Sequence, residues 1–314
     1  MGALMPMTAT TLAEDTIGEE ISTLMDDFTA ETTPFSAGKI GHFGEVLRSG
    51  TTVFVTSLPG TDYADIIAVS KRLRDEGMRP VPHIAARSLP DKAVLDENLR
   101  LLVSEAGVDE LLIIGGAVDQ PVGTFSDSMQ IMETGLLDKH GINRIGVAGH
   151  PEGCPDITDD GIRQALAWKN AFAERTGAEL YVVTQFCFEA EPIISWDKAI
   201  QAEGNRLPIR IGVPGLATIK TLLNYAKACG VGQSMNFLKR QARNVPKLVM
   251  VSAPDKQIVE LARYQAGDPE CGITGVHMYP FGGLKKTAKW AYAVLDEKYD
   301  MNREANGFKV YIDL

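Results

Sequence analysis

Short apolar runs alternate with amphipathic stretches along most of the chain. Eight of the runs, at 27–31, 52–56, 80–84, 110–114, 144–148, 179–184, 208–212 and 275–279, are mostly β-branched or apolar, and many end in Gly, Pro or Ser. Buried parallel strands read this way. Helical spacing fills the intervals at 38–48, 62–76, 91–106, 124–139, 158–175, 193–203, 215–229 and 283–297. In 62–76, DYADIIAVSKRLRDE, the residues Ile66, Ile67, Val69 and Leu73 share one side, charges face the other, and Gly77 follows as a stop. Eight strand–helix units in order predict a (β/α)₈ TIM barrel, because parallel strands need crossovers. A doubly wound open sheet is the competing arrangement. The connection 230–272 is too long for a simple loop, so extra helical material, at 232–242 and 255–264, is expected between strands seven and eight. Residues 1–20 show no convincing core period and read as a poorly ordered lead-in or a peripheral turn of helix, which leaves 21–314 as one catalytic barrel domain.

Composition narrows the function classes. With 314 residues, 45% of them hydrophobic and 23% charged, the chain can bury a large core. A net charge of −10 argues against a nucleic-acid partner, although loops and helix ends can still hold a small anion. Cys154, Cys187, Cys229 and Cys271 are far apart and form no zinc-ligand pattern, so no metal is expected. The N-terminus lacks the pattern of a secretory signal, and no uncharged apolar stretch approaches the roughly 20 residues of a membrane span. A cytoplasmic protein with no membrane partner is the expectation. The sequence leaves a homo-oligomer open.

Chemistry in a barrel of this kind sits at the carboxyl ends of its strands. The residues there are Glu31, Thr56, His83, Gly115 and Gly116 with Asp119, His150 with Glu152, Gln185, Gly212 with Pro214, and His277 with Tyr279. The other two histidines, His42 and His140, fall in helix or loop positions and read as solvated. A lone His at a strand end is more often a hydrogen-bonded packing residue than a catalyst. A carboxylate at the inner end of a buried strand is costly unless paired or functional. Burial favours the protonated form of a carboxyl, which suits a general acid. A salt bridge to a barrel-mouth Lys or Arg is the other reading of Glu31. Gly115-Gly116 allows a flat or phosphorylated ligand to approach closely, or is an ordinary tight turn. No GxSxG, Walker or HExxH motif occurs.

Four segments resemble the methylenetetrahydrofolate reductase family. Thr29-Ala30-Glu31-Thr32-Thr33-Pro34 is similar to the family's Ser-Phe-Glu followed closely by Pro. Val147-Ala148-Gly149-His150-Pro151-Glu152-Gly153-Cys154-Pro155 is similar to V-A-G-Y-P-E-G-H-P, and Thr184-Gln185-Phe186-Cys187-Phe188-Glu189 matches T-Q-F-F-F-[DE]. Gly275-Val276-His277-Met278-Tyr279 resembles G-[IL]-H-F-Y. Lesser matches lie at Val55-Thr56 and Pro82-His83, and the resemblance spans roughly 26–297. The chain departs from the family after strand four, where Gly115-Gly116-Ala117 stands in place of Arg-Gly-Asp and an acid returns only at Asp119.

The resemblance implies flavin-dependent reduction of 5,10-methylenetetrahydrofolate to 5-methyltetrahydrofolate, with FAD as cofactor, NADH or NADPH as co-substrate and ping-pong turnover. Glu31 inherits the role of proton donor to the folate, Asp119 that of cation stabiliser, and Gln185 that of orienting folate and nicotinamide in turn. Phe188 and Tyr279 complete the folate side. Thr56, His83, Gly115, Gly116, His150, Glu152, Cys154 and Lys169 form the expected flavin side, where the departures cluster. Two other readings keep the folate site: direct hydride transfer from the nicotinamide without flavin, and a folate-binding or electron-transfer subunit that needs a partner protein.

Overall fold

The computed structural model describes residues 9–228 and 251–311. Eight parallel strands close into a barrel: β1 (Thr29–Thr32), β2 (Thr52–Val55), β3 (Arg79–Ala85), β4 (Glu110–Ile114), β5 (Arg144–Gly149), β6 (Glu179–Phe186), β7 (Ile209–Pro214) and β8 (Ile273–Tyr279). Each strand pairs with its sequence neighbours, and β1 closes the ring on β8, with Thr29 opposite His277. The predicted (β/α)₈ TIM barrel is therefore the observed fold.

The major helices are α1 (Ala9–Met25), α2 (Tyr63–Asp75), α3 (Lys92–Ala106), α4 (Asp159–Thr176), α5 (Ala190–Ala202), α6 (Ile219–Ala228), α7 (Asp255–Gly267) and α8 (Leu284–Leu295). Side chains of Asp62, Asp91 and Thr158 accept the first free backbone N–H groups of α2, α3 and α4, which fixes where those helices begin. Gly107 and Gly177, both left-handed, end α3 and α4. The apolar stripe of α2 is buried through Ile66, Ile67 and Leu73.

The barrel interior is packed rather than hollow. Phe54, Val81, Leu112, Tyr181 and Val183 fill its middle. Towards the amino ends of the strands, the buried Glu110 carboxylate accepts the Tyr181 hydroxyl at 2.5 Å and lies 3.3 Å from Arg144 and 3.5 Å from Arg79. That network closes the bottom and leaves the carboxyl ends as the side open to chemistry.

Several sequence expectations are corrected. A helix occupies much of the lead-in, because Ile17, Ile21 and Leu24 recur on one face and are buried as α1 packs on α7, α8 and β8. Its polar Thr and Glu positions hide that stripe. The expected helix 38–48 is replaced by two short turns, Pro34–Ala37 and Phe43–Glu45. The expected helix 124–139 is broken into Ser128–Met132 and Leu136–Lys139 by Gly135, whose φ of +70° no right-handed helix accommodates. His140 is not solvated: its Nε2 lies 2.6 Å from Asp96. Between β7 and β8, α7 is the expected 255–264 helix, extended to Gly267, whereas the expected 232–242 helix lies outside the described residues. A hairpin of Tyr299–Met301 and Phe308–Val310 has no counterpart in the sequence reading.

Candidate active site

At the carboxyl end of the barrel, β1, β2, β3 and β8 bring five polar side chains together. Glu31 Oε2 accepts the Thr56 hydroxyl at 3.2 Å and lies 3.8 Å from His277 Nε2. His277 Nδ1 lies 2.7 Å from the Thr29 hydroxyl. The His277 ring is clamped edge-on by Phe54 at 4.6 Å and Tyr279 at 4.8 Å. His83 completes the group: it packs edge-on against Phe54 and feels the charges of both Glu31 and His277. Glu31 is thus partnered by hydroxyl and imidazole, and no Lys or Arg salt bridge to it is seen among the described residues.

His83 is buried, and among the described residues neither of its ring nitrogens has a hydrogen-bond partner. Burial pushes its pKa down to about 4, helped by His277 and opposed by Glu31, so the imidazole is neutral near physiological pH. A neutral buried imidazole with two unsatisfied nitrogens is a costly arrangement that a polar ligand at the mouth would relieve.

The second part of the mouth is built by β6 and β7. Their register shifts between Val183 and Phe186, a bulge that puts Thr184 and Gln185 out of the regular ladder. The Thr184 hydroxyl repairs the break: it accepts from the Gly212 N–H at 2.8 Å and donates to the Gln185 carbonyl at 2.9 Å. The Tyr279 hydroxyl donates to the Thr184 carbonyl at 2.9 Å, which joins this unit to the His277 ring. A Cβ on Gly212 would stand 2.5 Å from the Thr184 carbonyl oxygen and 2.7 Å from that of Gln185, so glycine is what lets the bulge sit there. Phe188 is buried with Phe186, their rings edge-on at 5.6 Å.

A third group forms behind β5. The Lys169 ammonium is buried and donates to the Ala148 carbonyl at 3.2 Å. Burial lowers its pKa to about 8, with Asp127 opposing the shift. His150 is pushed down to about 4, first by burial and then by Lys169. Glu152 and Cys154 lie on the half-buried turn that follows, and burial, with the Glu152 charge adding to it, drives the Cys187 thiol well above its ordinary value.

Of the sequence-predicted residues, Glu31, Thr56, His83, Gln185 and Tyr279 converge on one mouth, with Phe188 in the aromatic packing next to it. His150 and Lys169 form their own pair. Gly116, with φ of +94°, carries the loop after β4 over Ala85, which a Cβ would meet at 3.2 Å, and Gly115 accepts the Arg87 N–H. Asp119 does not join the Glu31 cluster: its side chain is exposed, and its carbonyl is held by the Arg87 guanidinium at 2.5 Å. Thr29, Thr184 and the partner role of His277 were not found from sequence. Only the identity of Gly212 and the location of His277 at a strand end hinted at them.

Several loops that follow barrel strands carry exposed apolar side chains, among them Phe35, Leu58, Val122 and Ile157. The mouth therefore combines an apolar rim with a small set of convergent polar groups, the usual make-up of a small-molecule site.

One curated relative gives this geometry a context. Over 153 residues, 46% of the chain, the sequence is 29% identical to methylenetetrahydrofolate reductase 1 of Schizosaccharomyces pombe. The chain resembles a methylenetetrahydrofolate reductase. The aligned stretch amounts to 23% of that protein's length, so the likeness is to a part of it. Among solved structures, an uncharacterized protein from Clostridium thermocellum that binds two copies of 5-methyl-5,6,7,8-tetrahydrofolic acid superposes with a TM-score of 0.53. That superposition covers 88% of this chain and 99% of the other at 11% identity, a likeness of fold. No family model matches the chain.

Proposed function

We propose that the chain reduces 5,10-methylenetetrahydrofolate to 5-methyltetrahydrofolate at the barrel mouth. The observation that carries this reading is the placement of Glu31, a half-buried carboxyl at the open end, held by Thr56 and facing His277. The partial likeness to a methylenetetrahydrofolate reductase supports it.

Reduction of the methylene bridge begins by opening a five-membered ring, and one nitrogen must leave as an amine. Glu31 donates the proton to that nitrogen, and the exocyclic iminium that results is the hydride acceptor. Gln185, on the bulge, offers an amide to orient the pterin, and the Phe186, Phe188 and Tyr279 cluster provides an apolar wall beside it.

A hydride donor is required. The unsatisfied nitrogens of His83 and the buried ammonium of Lys169 fit a ligand with both polar and phosphate groups, which agrees with FAD. His83, Thr56 and the Gly115-Gly116 loop would hold it from one side, and Lys169 with His150 and the Glu152–Cys154 turn from the other. The chemistry that FAD would supply there is hydride delivery, with NADH or NADPH as the source of the hydride. A second reading has its own observation: Asp119 is exposed and Ala117 replaces an acid, so the flavin-side loop has lost groups that the resemblance leads one to expect. That reading passes hydride from the nicotinamide directly to the iminium.

Steady-state kinetics separate the two. Purified chain given FAD, 5,10-methylenetetrahydrofolate and NADH or NADPH is expected to give parallel double-reciprocal lines. Intersecting lines with turnover independent of FAD would favour direct transfer. No folate-dependent oxidation of either nicotinamide would remove both readings.

A further inference from the structure

We propose that Thr29 and His277 are positioning residues that aim an N–H at Glu31, where negative charge develops as its proton leaves. The proposal rests on the folate-reduction reading above and deepens it.

The argument begins with hydrogen-bond accounting. The Thr29 hydroxyl is buried, and its single side-chain partner among the described residues is His277 Nδ1 at 2.7 Å. If Nδ1 carried the proton and donated to Thr29, the threonine's own hydroxyl hydrogen would be buried without an acceptor, which is costly. If Thr29 donates to Nδ1, both the buried hydroxyl hydrogen and the Nδ1 lone pair are satisfied. Nδ1 is then the acceptor, and the ring proton sits on Nε2.

Nε2 is the nitrogen that faces Glu31 Oε2, at 3.8 Å. That separation is too long for a hydrogen bond. While Glu31 carries its proton the contact is weak. As the carboxyl gives the proton to the substrate nitrogen, charge grows on Oε2 and the N–H can close on it. An interaction that strengthens only as charge develops lowers the barrier rather than merely aiding binding. Edge-on packing against Phe54 and Tyr279 restrains the ring. Among the described residues, the Thr56 hydroxyl and the neutral His83 also face Glu31, and neither competes for Nε2.

Sequence position fits the scheme. Thr29 and Glu31 are two apart on β1, so both project to the barrel interior, and Thr29 sits opposite His277 in the β1–β8 register.

Two measurements on the full chain test the proposal. Nitrogen-15 NMR of histidine-labelled protein reads the His277 tautomer without any substrate, with Nε2–H expected in the wild type. Single-turnover folate reduction then compares Thr29→Val and Thr29→Ser. Thr29→Val is expected to mix the tautomers and slow the reduction step by roughly 100-fold, the scale set by loss of one preorganised donor. Its folate dissociation constant should stay near wild type, and Thr29→Ser should restore both tautomer and rate. A wild-type ring protonated on Nδ1 overturns the proposal, as does a Thr29→Val protein that reduces folate normally or that Thr29→Ser fails to rescue. A wild type that binds and reduces no folate instead overturns the function on which the proposal rests.

Discussion

Glu31→Gln is expected to bind folate about as tightly as the wild type while reducing it about 10²- to 10⁴-fold more slowly, the usual span for loss of a general acid. Glutamine keeps the shape of the side chain and an oxygen that can accept the Thr56 hydroxyl, which lies 3.2 Å from Glu31 Oε2. What it lacks is a proton that can be given up. Shape-dependent binding should therefore survive, and proton-dependent ring opening should not. Hydride transfer from the nicotinamide to a bound flavin involves no folate and should proceed at its normal rate. Stopped-flow measurement of the two half-reactions checks this directly. A variant slow in both would point to damaged structure, and one normal in both would take the acid role away from Glu31.

Gly212→Ala has the largest structural effect expected at the site. The added methyl group would meet the Thr184 carbonyl oxygen at 2.5 Å, the Gln185 carbonyl oxygen at 2.7 Å and the Tyr279 ring at 2.7 Å. Two of these neighbours are backbone and cannot rotate away. Relief must come from moving β6 off β7, which breaks the Gly212 N–H bond to Thr184 and shifts Gln185. Overpacking of this kind costs about 3 kcal/mol, and a melting temperature roughly 4–5 °C lower follows for a chain of this size. Folate affinity should fall with it, because the displaced bulge carries Gln185. Calorimetry with a folate titration checks both parts, and a variant that melts and binds like the wild type would show that the bulge is not held by this close approach.

Much of the barrel was legible in the sequence. Strand β4 begins and ends where its apolar run does, and α2 and α3 follow their stripes and their Gly stops, because burial on one face and a clean cap leave the same mark in sequence and in space. Helix α1 was not legible, since Thr and Glu positions dilute a stripe that only the packing of α7 and α8 reveals. The break at Gly135 was missed because a single glycine inside a helical pattern is ambiguous until its dihedral angle is known.

At the site, strand ends located Glu31, Thr56, His83, Gln185 and Tyr279, because barrel topology alone carries those positions to one mouth. Contacts between strands distant in sequence were invisible. Thr29 and His277 are 248 positions apart, and nothing in either local segment announces a hydrogen bond between them. The β6–β7 bulge was also hidden: the run 179–184 reads as ordinary strand, and only the paired register shows that Thr184 substitutes for a backbone partner. Asp119 shows the reverse case, a residue chosen for its chemistry and its nearness in sequence. The loop path, fixed by Arg87 through the Asp119 carbonyl and by the close approach of Gly116 to Ala85, carries its side chain to solvent instead.

The most direct test of the central claim is the visible spectrum of purified protein reconstituted with FAD, recorded anaerobically before and after addition of 5-methyltetrahydrofolate. Reverse hydride transfer at a shared site is expected to bleach the flavin absorbance, and Glu31→Gln should not bleach. A protein that takes up FAD and keeps its full colour in the presence of 5-methyltetrahydrofolate, or that takes up no FAD at all, would contradict flavin-dependent folate reduction at this mouth.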